Sequence, residues 1–545
     1  MSANDSLMSS SEGGVTKNVN PELGEVKFVN GNEEVDVNVQ TKLIGLTKEQ
    51  LEQYRNIPGW MYFRRFCFVL FWIFWGAMFF GAIAIVVFSP KCATKTDAKS
   101  YESSISYQMF VPTFKDTDSD GVGDFDGVAE KLDYLKKIGV ESIWPSPIIK
   151  TDKNDFNGGA VVDFTTFDDR FGDENSLKKL IQATKEKGLK FVAEIPLSVS
   201  EFHPWAVDVK NNPNSPYRKY FSKVESRTLD LTNENVKKDI LTAATKLVAL
   251  GVDGIYLKNA DHIDGISVRS LKESIIDAAE NSKFVIFTYE NDINNDEFHI
   301  HALITSDCNS INLAGCVINN INKGLASKKV IWSLVESDES RVDTKLNKNP
   351  AEAANLLTLL QLVLPGQSNI VYGNEFGLLS SVNNIAQHMP VMSWDSYNHT
   401  GFTDAEGALL FGLAKNSNAV DVATEFATSG SALKIFQKVA KLKNRDETLK
   451  SGMISAEVKN GLLYVYRYPE GKKGKMYILV LNLNADDKNE RSVDLAHASL
   501  TDKDKTKVDV FVVSQGVEKY QARDQFDLNT EKIALTSMQG ILLRV

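Results

Sequence analysis

Four aspartates crowd one short stretch, Asp116-Thr117-Asp118-Ser119-Asp120-Gly121-Val122-Gly123-Asp124. Their carboxylates fall at positions 1, 3, 5 and 9 of the segment, Val122 offers a carbonyl, and the two glycines permit a tight turn. Hard oxygen donors at this spacing suit a structural Ca2+ ion, with a solvated Asp-Gly turn as the alternative. Sulfur is the second source of chemistry. The chain has 4 cysteines, too few for a disulfide scaffold. Cys308 and Cys316 lie 8 residues apart, a spacing that a local disulfide closes. Cys92 is left over, which points to an intermolecular bond; a free or lipidated thiol is the alternative. Asn398-His399-Thr400 is an N-glycosylation acceptor if that part of the chain is extracellular.

These groups are arranged around one apolar run, Phe66 to Phe88, which holds 23 residues and no charge. At about 1.5 Å per residue it reaches roughly 35 Å, enough to cross a hydrocarbon core of about 30 Å. Water is excluded there, so the backbone must satisfy itself as a helix. The run follows 65 more polar residues, unlike a signal peptide, and reads as a signal-anchor. Arg64, Arg65, Arg55 and Lys48 precede it, while Lys91, Lys95 and Lys99 follow. Together with the acceptor at Asn398 and the cysteine pair, this favours a cytoplasmic N-terminus. Residues 1–65 read as a cytoplasmic tail, largely disordered. In Leu46 to Trp60, Thr47 caps a short juxtamembrane helix that Pro58-Gly59 breaks. Within the span, Ala77 and Gly81 are four apart, with Gly76, Ala82 and Ala84 nearby; small residues at that spacing admit a partner helix, although they are also common in membrane helices. Residues 89–104 form an extracellular neck.

From residue 105 the pattern becomes strand and helix in alternation. YQMFVP, VESIWPSP, LKFVAEIPL, VDGIYLK, KFVIFTYE, KKVIWSLVE and SNIVYG read as strands. VAEKLDYLKKIG, SLKKLIQATKEKG, VKKDILTAATKLVALG and AEAANLLTLLQLVLPG read as amphipathic helices. Near-continuous apolar strands imply a parallel sheet covered on both faces. Eight such units over about 320 residues predict a (β/α)8 barrel over 105–435, an α/β ectodomain. Beyond 436, LLYVYRYP, KMYILVLNLN, VDVFVVS and GILLRV predict an antiparallel β-sandwich. The net charge of −10 leaves no basic stripe for nucleic acid.

At these residues the chain resembles the α-amylase-type glycoside hydrolases, in their α-glucosidase branch. The resemblance rests on YQMFVPTFKDTDSDGVGDFDGVAEKLDYLKKIGVESIWPSPI, FDDRFGDENSLKKLIQATKEKG, HPWA, GVDG and MPVMSWD, and covers about 105–545. The Asp-rich loop matches the calcium loop of relatives in that family. The family's chemistry needs two carboxylates about 5 Å apart, one as nucleophile and one as acid, at the C-terminal ends of barrel strands. Here the pattern fails residue by residue. In GVDGIYLKNADH the nucleophile position is Lys258 and the arginine position is Tyr256. The third strand reads Glu194-Ile195-Pro196-Leu197-Ser198-Val199, so its histidine position is Val199. The Tyr-Asp pair that floors the sugar subsite is Gly159-Ala160, and the seventh-strand triplet is Glu336-Ser337-Asp338. Glu290 matches the general acid and Asp338 the second carboxylate. A protonated lysine has no lone pair to attack with, and between Glu290 and Asp338 it is expected to form ion pairs. The segment from Val199 to about Thr228 is also short for the family's substrate-side subdomain.

A membrane anchor before a disarmed glucosidase barrel is similar to the heavy chains of heteromeric amino-acid transporters, of the glycoprotein type. LTKEQLEQYRNIPGW, the apolar span and SPKC resemble the membrane-proximal region of that family. The resemblance implies that Cys92 bonds a multipass light chain, which the heavy chain brings to the plasma membrane and stabilises. A membrane-tethered α-glucosidase and a carbohydrate-binding or adhesion receptor are the rival readings.

Overall fold

The computed structural model describes residues 52, 57–88 and 102–545, with three short strands between 18 and 35, but not 157–158, 261–262, 280–284, 289–297, 328, 336–339, 383–387, 471–473, 486–489, 496–506 or 528–531. The chain divides into two compact units, Met1–Thr94 and Lys95–Val545.

In the first unit, Pro58–Phe88 forms a single helix of 31 residues, α1. The expected break at Pro58-Gly59 falls where this helix starts: Glu52 is helical and Ile57 is not. A proline at the first helical position loses no hydrogen bond, because that N–H has no intrahelical acceptor, and its φ is already helical. Trp60, Tyr62, Arg64 and Arg65 therefore continue the apolar helix, and the rest of the expected juxtamembrane helix lies outside the described residues. The stretch Pro58–Ile83 is long and apolar enough to cross a membrane, and its most apolar part has no fully buried residue. Phe68, Trp72, Ile73 and Phe80 are all more than half exposed, as lipid-facing side chains are. Ala77 is exposed and Gly81 half-buried on this helix. Upstream, Val26–Asn30 pairs antiparallel with Asn18–Val19 and with Glu33–Val35.

The second unit is a closed eight-stranded barrel carrying an antiparallel sheet. The barrel strands are β1 Ile105–Phe110, β2 Ser142–Ser146, β3 Lys190–Pro196, β4 Gly254–Lys258, β5 Val285–Thr288, β6 Phe298–Ile304, β7 Lys329–Val335 and β8 Gln367–Val371. All are parallel, and β8 closes on β1. Seven coincide with the segments read from sequence; β6, FHIHALI, was not among them.

The covering helices start and stop where local chemistry dictates. Asp173 caps α2, Glu174–Glu186, by accepting from the Ser176 N–H. Asn233 caps α3, Glu234–Leu250, and Gly251 ends it in the left-handed conformation at φ 94°. The helix expected over VAEKLDYLKKIG is two, Phe125–Glu130 and Leu132–Ile138, interrupted at Lys131.

Strands β9 Met453–Lys459, β10 Leu462–Tyr468, β11 Tyr477–Asn482, β12 Lys507–Val513, β13 Gln525–Asp527 and β14 Gln539–Arg544 form the sheet, in the order β9-β10-β11-β14-β12-β13. The sheet begins at Met453, because helix Ala432–Lys443 runs through the expected boundary at 436. Alternation along β10 and β11 builds two cores. Leu463, Val465, Leu479 and Leu481 join the barrel's core, while Leu462, Tyr464, Ile478 and Val480 join a second one with Val493, Leu495, Ile533 and Leu535. A two-stranded ladder, Arg491–Ser492 with Ala534–Leu535, lies in that second layer. Arg467 of β10 ties the sheet to the barrel's helices by donating to the Val363 carbonyl, and it donates also to the Thr448 and Gly452 carbonyls. Lys443, buried at the end of helix Ala432–Lys443, donates to the Leu364 carbonyl at 3.0 Å.

Candidate functional site

The C-terminal ends of β3 and β4 hold the residues that matter for barrel chemistry. Parallel pairing sets Tyr256 beside Glu194 and Lys258 beside Pro196. The Lys258 ammonium lies 3.7 Å from Glu194 Oε1, and both side chains are under 5 % exposed. An isolated charge cannot reside at such depth, so each carries the other. The ion pairs expected from Lys258 to Glu290 and Asp338 lie outside the described residues; among the described residues its partner is Glu194. A signal for it existed: one acid inside the otherwise apolar run FVAEIP needs a counter-charge once the strand is buried.

Below this pair the barrel is filled by rings. Trp144 of β2 sits 4.7 Å from Phe287 of β5 and 5.6 Å from Tyr256, centroid to centroid, and Phe298 of β6 packs 5.3 Å from Phe287. The β8–β1 side is polar and closed by side-chain bonds, including Asn369 to Gln108 at 2.8 Å and Gln367 to Ser106 at 3.1 Å.

Above the pair, Asn259 takes a left-handed φ of 62° and donates its amide to the Ser198 hydroxyl at 2.9 Å. Ser198 in turn donates to the Gly159 carbonyl. The Gly159-Ala160 segment is thereby tied to the ends of β3 and β4. Val199, at the histidine position, is buried at 2 % exposure and bridges Val161. An apolar, buried side chain there offers nothing to a sugar hydroxyl.

In the Asp-rich loop, ligand atoms of Asp116, Asp118 and Asp120 come within 4.8 Å of one another. Asp116 is buried and orders the turn, accepting from the Ser119 N–H at 2.8 Å, the Gly121 N–H at 2.9 Å and the Thr403 hydroxyl at 2.5 Å. Partial desolvation first, and the neighbouring carboxylates Asp120, Asp116 and Asp124 as well, push the Asp118 carboxyl above its usual range. Three converging acids are a donor set that a divalent cation would fit. Asp124 stands apart from this cluster. It caps helix Phe125–Glu130 by accepting from the Gly127 N–H at 2.6 Å, and it accepts from Thr117 as well. Val122 donates its N–H to Asp120 at 2.7 Å.

Cys308 and Cys316 are bonded, with their Cα atoms 5.5 Å apart. Cys67 is a free, exposed thiol on α1, and Cys92 lies outside the described residues. Asn398 is exposed at a short turn where His399 and Thr400 take φ of 50° and 56°.

Two family models match the chain. The model described as Alpha amylase, catalytic domain, matches residues 108–228 and 278–452, more than half of the chain. The model described as Solute carrier family 3 member 2 N-terminus matches residues 32–107. Among curated proteins, the amino acid transporter heavy chain SLC3A1 of Rattus norvegicus is 24% identical over 83% of this chain and 80% of its own length. The salivary alpha-glucosidase of Aedes aegypti is 24% identical over 82% of this chain and 95% of its own. Among solved structures, isomaltulose synthase from Klebsiella sp. LX3 superposes with a TM-score of 0.67 at 16% identity, covering 82% of this chain and 99% of that one. This last likeness carries the fold alone. The chain is similar to the amino-acid transporter heavy chains in its membrane-proximal segment and over most of its length, and by the domain that spans more than half of it the chain belongs to the α-amylase family.

Proposed function

We propose that this chain is a non-catalytic ancillary subunit of an amino-acid exchanger. It spans the plasma membrane once with a cytoplasmic N-terminus. Cys92 forms a disulfide with a multipass light chain, and α1 packs on that partner around Ala77 and Gly81. The ectodomain, glycosylated at Asn398, covers the partner from outside and stabilises it on the way to the surface. A structural Ca2+ ion held by Asp116, Asp118 and Asp120 stiffens the loop after β1 by neutralising their mutual repulsion. The observation that carries the non-catalytic part is Lys258, an ammonium paired with Glu194 at the strand end where a retaining hydrolase needs a carboxylate nucleophile. The one membrane-spanning candidate among the described residues cannot by itself line a transport path, so transport belongs to the partner. A disulfide makes helix and ectodomain contacts intramolecular, so each contact alone can be weak.

The test is surface labelling of cells depleted of this chain. At least one multipass amino-acid exchanger falls in surface abundance, and re-expression restores it. Unchanged surface levels of every such exchanger would defeat the proposal. The barrel's likeness to glycosidases keeps a second reading in view, a tethered α-glucosidase. Turnover of a chromogenic α-glucoside that survives Lys258→Met and Glu290→Gln substitution separately would be contamination; turnover abolished by Glu290→Gln would establish the enzyme.

A further inference from the structure

The segment between β3 and α3 is more than a shortened stub. It folds as helix Pro204–Asn211, a 3-10 turn Pro216–Tyr220 and a two-stranded hairpin, Phe221–Lys223 with Thr228–Leu229. Between these elements lies a cavity of about 300 Å³. It is lined by the apolar side chains of Ala206, Val209, Phe221 and Val224, and by Arg218, Arg227 and Lys210 against a single acid, Glu201. Lys210 already pairs with Glu201 at 3.3 Å, which leaves two guanidinium groups. The Arg218 side chain has no hydrogen bond or ion pair among the described residues. Arg227 donates only its Nε, to the Val199 carbonyl at 3.0 Å, so its terminal nitrogens are open. The excess of positive charge is local, since the whole chain carries −10.

The walls are preorganised. Trp205 stands edge-on to Tyr220, 4.9 Å between centroids, bracing the helix against the turn that presents Arg218. Ser215 caps that turn by accepting from the Tyr217 N–H at 3.1 Å. Arg227 is held at φ 53°, and its bond to Val199 fixes its side chain at the edge of the barrel mouth. A cavity of this size with an apolar floor and a few convergent polar groups is the general form of a small-molecule site. Two arginine forks select planar or tetrahedral oxyanions.

We infer that this pocket binds a small organic anion, a carboxylate, sulfonate or phosphate on a flat apolar body. The charged group meets Arg218 and Arg227, and the body lies on Phe221 and Val224. The inference stands independently of the transporter role.

The experiment is calorimetric titration of the full chain in uncharged lipid nanodiscs with naphthalene-2-sulfonate, beside its neutral analogue naphthalene-2-sulfonamide. The sulfonate binds one to one, the sulfonamide at least about tenfold more weakly, matching roughly one lost charge-assisted hydrogen bond. Arg218→Gln weakens the sulfonate by about tenfold. So does Arg227→Lys, which keeps the charge and loses the fork; the exposed Arg218 variant guards against a folding failure at Arg227. No saturable binding, equal binding of the two probes, or unchanged affinity in Arg218→Gln with an unaltered melting curve each overturns the assignment.

Discussion

Replacing Lys258 with Met removes an ammonium from beside a carboxylate that is 4 % exposed. At 3.7 Å and an effective dielectric of about 20, the attraction between the pair is about 4.5 kcal/mol. Breaking one side of a buried pair typically costs about 3–5 kcal/mol, because the remaining charge is left uncompensated or must change protonation. Lys258→Met and Glu194→Leu are each expected to lower stability by about that amount. The double variant should fall within about 1 kcal/mol of the parent, because an apolar pair of similar volume needs no solvation. The aromatic filling beneath, Trp144, Tyr256 and Phe287, offers such a pair an apolar floor. The assay is urea unfolding of residues 95–545, the second compact unit, followed by tryptophan fluorescence for all four members of the cycle. Additive losses under about 1 kcal/mol each would mean that the two charges are solvated and that the ion pair does not hold the barrel mouth.

His203 makes stability depend on pH. Burial holds its imidazole down to about 4, with Asp163 opposing, so the folded ring is neutral where the unfolded one, near 6.5, takes up a proton. The unfolded state then binds more protons between those values, and stability is lost as pH falls from about 6.5 towards 4, by roughly 2–3 kcal/mol in all. His203→Asn, which keeps a cap for the Trp205 N–H, should flatten that limb of the denaturation profile; an unchanged slope would place the effect elsewhere. Opening the disulfide with Cys308→Ser and Cys316→Ser releases a short loop, for which loop-closure entropy gives about 2.5 kcal/mol. Urea titration reads this directly, and a loss below about 0.5 kcal/mol would contradict it. Calcium should raise the melting temperature of the chain, by the equivalent of about 2.7 kcal/mol at one hundred times Kd, and Asp120→Asn should abolish the rise. Equal melting with Ca2+ and with chelator would remove the ion from the account.

The barrel was legible because its strands are buried on both faces, which leaves uninterrupted apolar runs such as LKFVAEIPL between amphipathic helices. Strand β6 escaped because FHIHALI places histidines at two positions, and a half-polar run resembles a loop when read singly. The interruption at Lys131 was hidden because the helical period continues across it with apolar residues on one face. Pro58, read as the end of the juxtamembrane helix, also opens the membrane helix, because a proline at the first helical position loses no hydrogen bond. The lysine at the nucleophile position, Lys258, was readable, but its pairing with Glu194 was not assigned. Glu194 becomes a neighbour only through the register of β3 against β4, and register is a property of the pairing rather than of either strand. Asp124 reads as a ligand by spacing, and its carboxylate also caps the helix that follows it, a second role that spacing alone does not show.

The account's central claim is a covalent partner at the membrane. The most direct test is to purify the chain from native membranes and run it on gels with and without reductant, beside a Cys92→Ser variant. The account predicts a larger band that reduction resolves into this chain and a multipass amino-acid transporter, and that the variant lacks. A chain that migrates alone in every lane, with no multipass protein co-purifying, would contradict it.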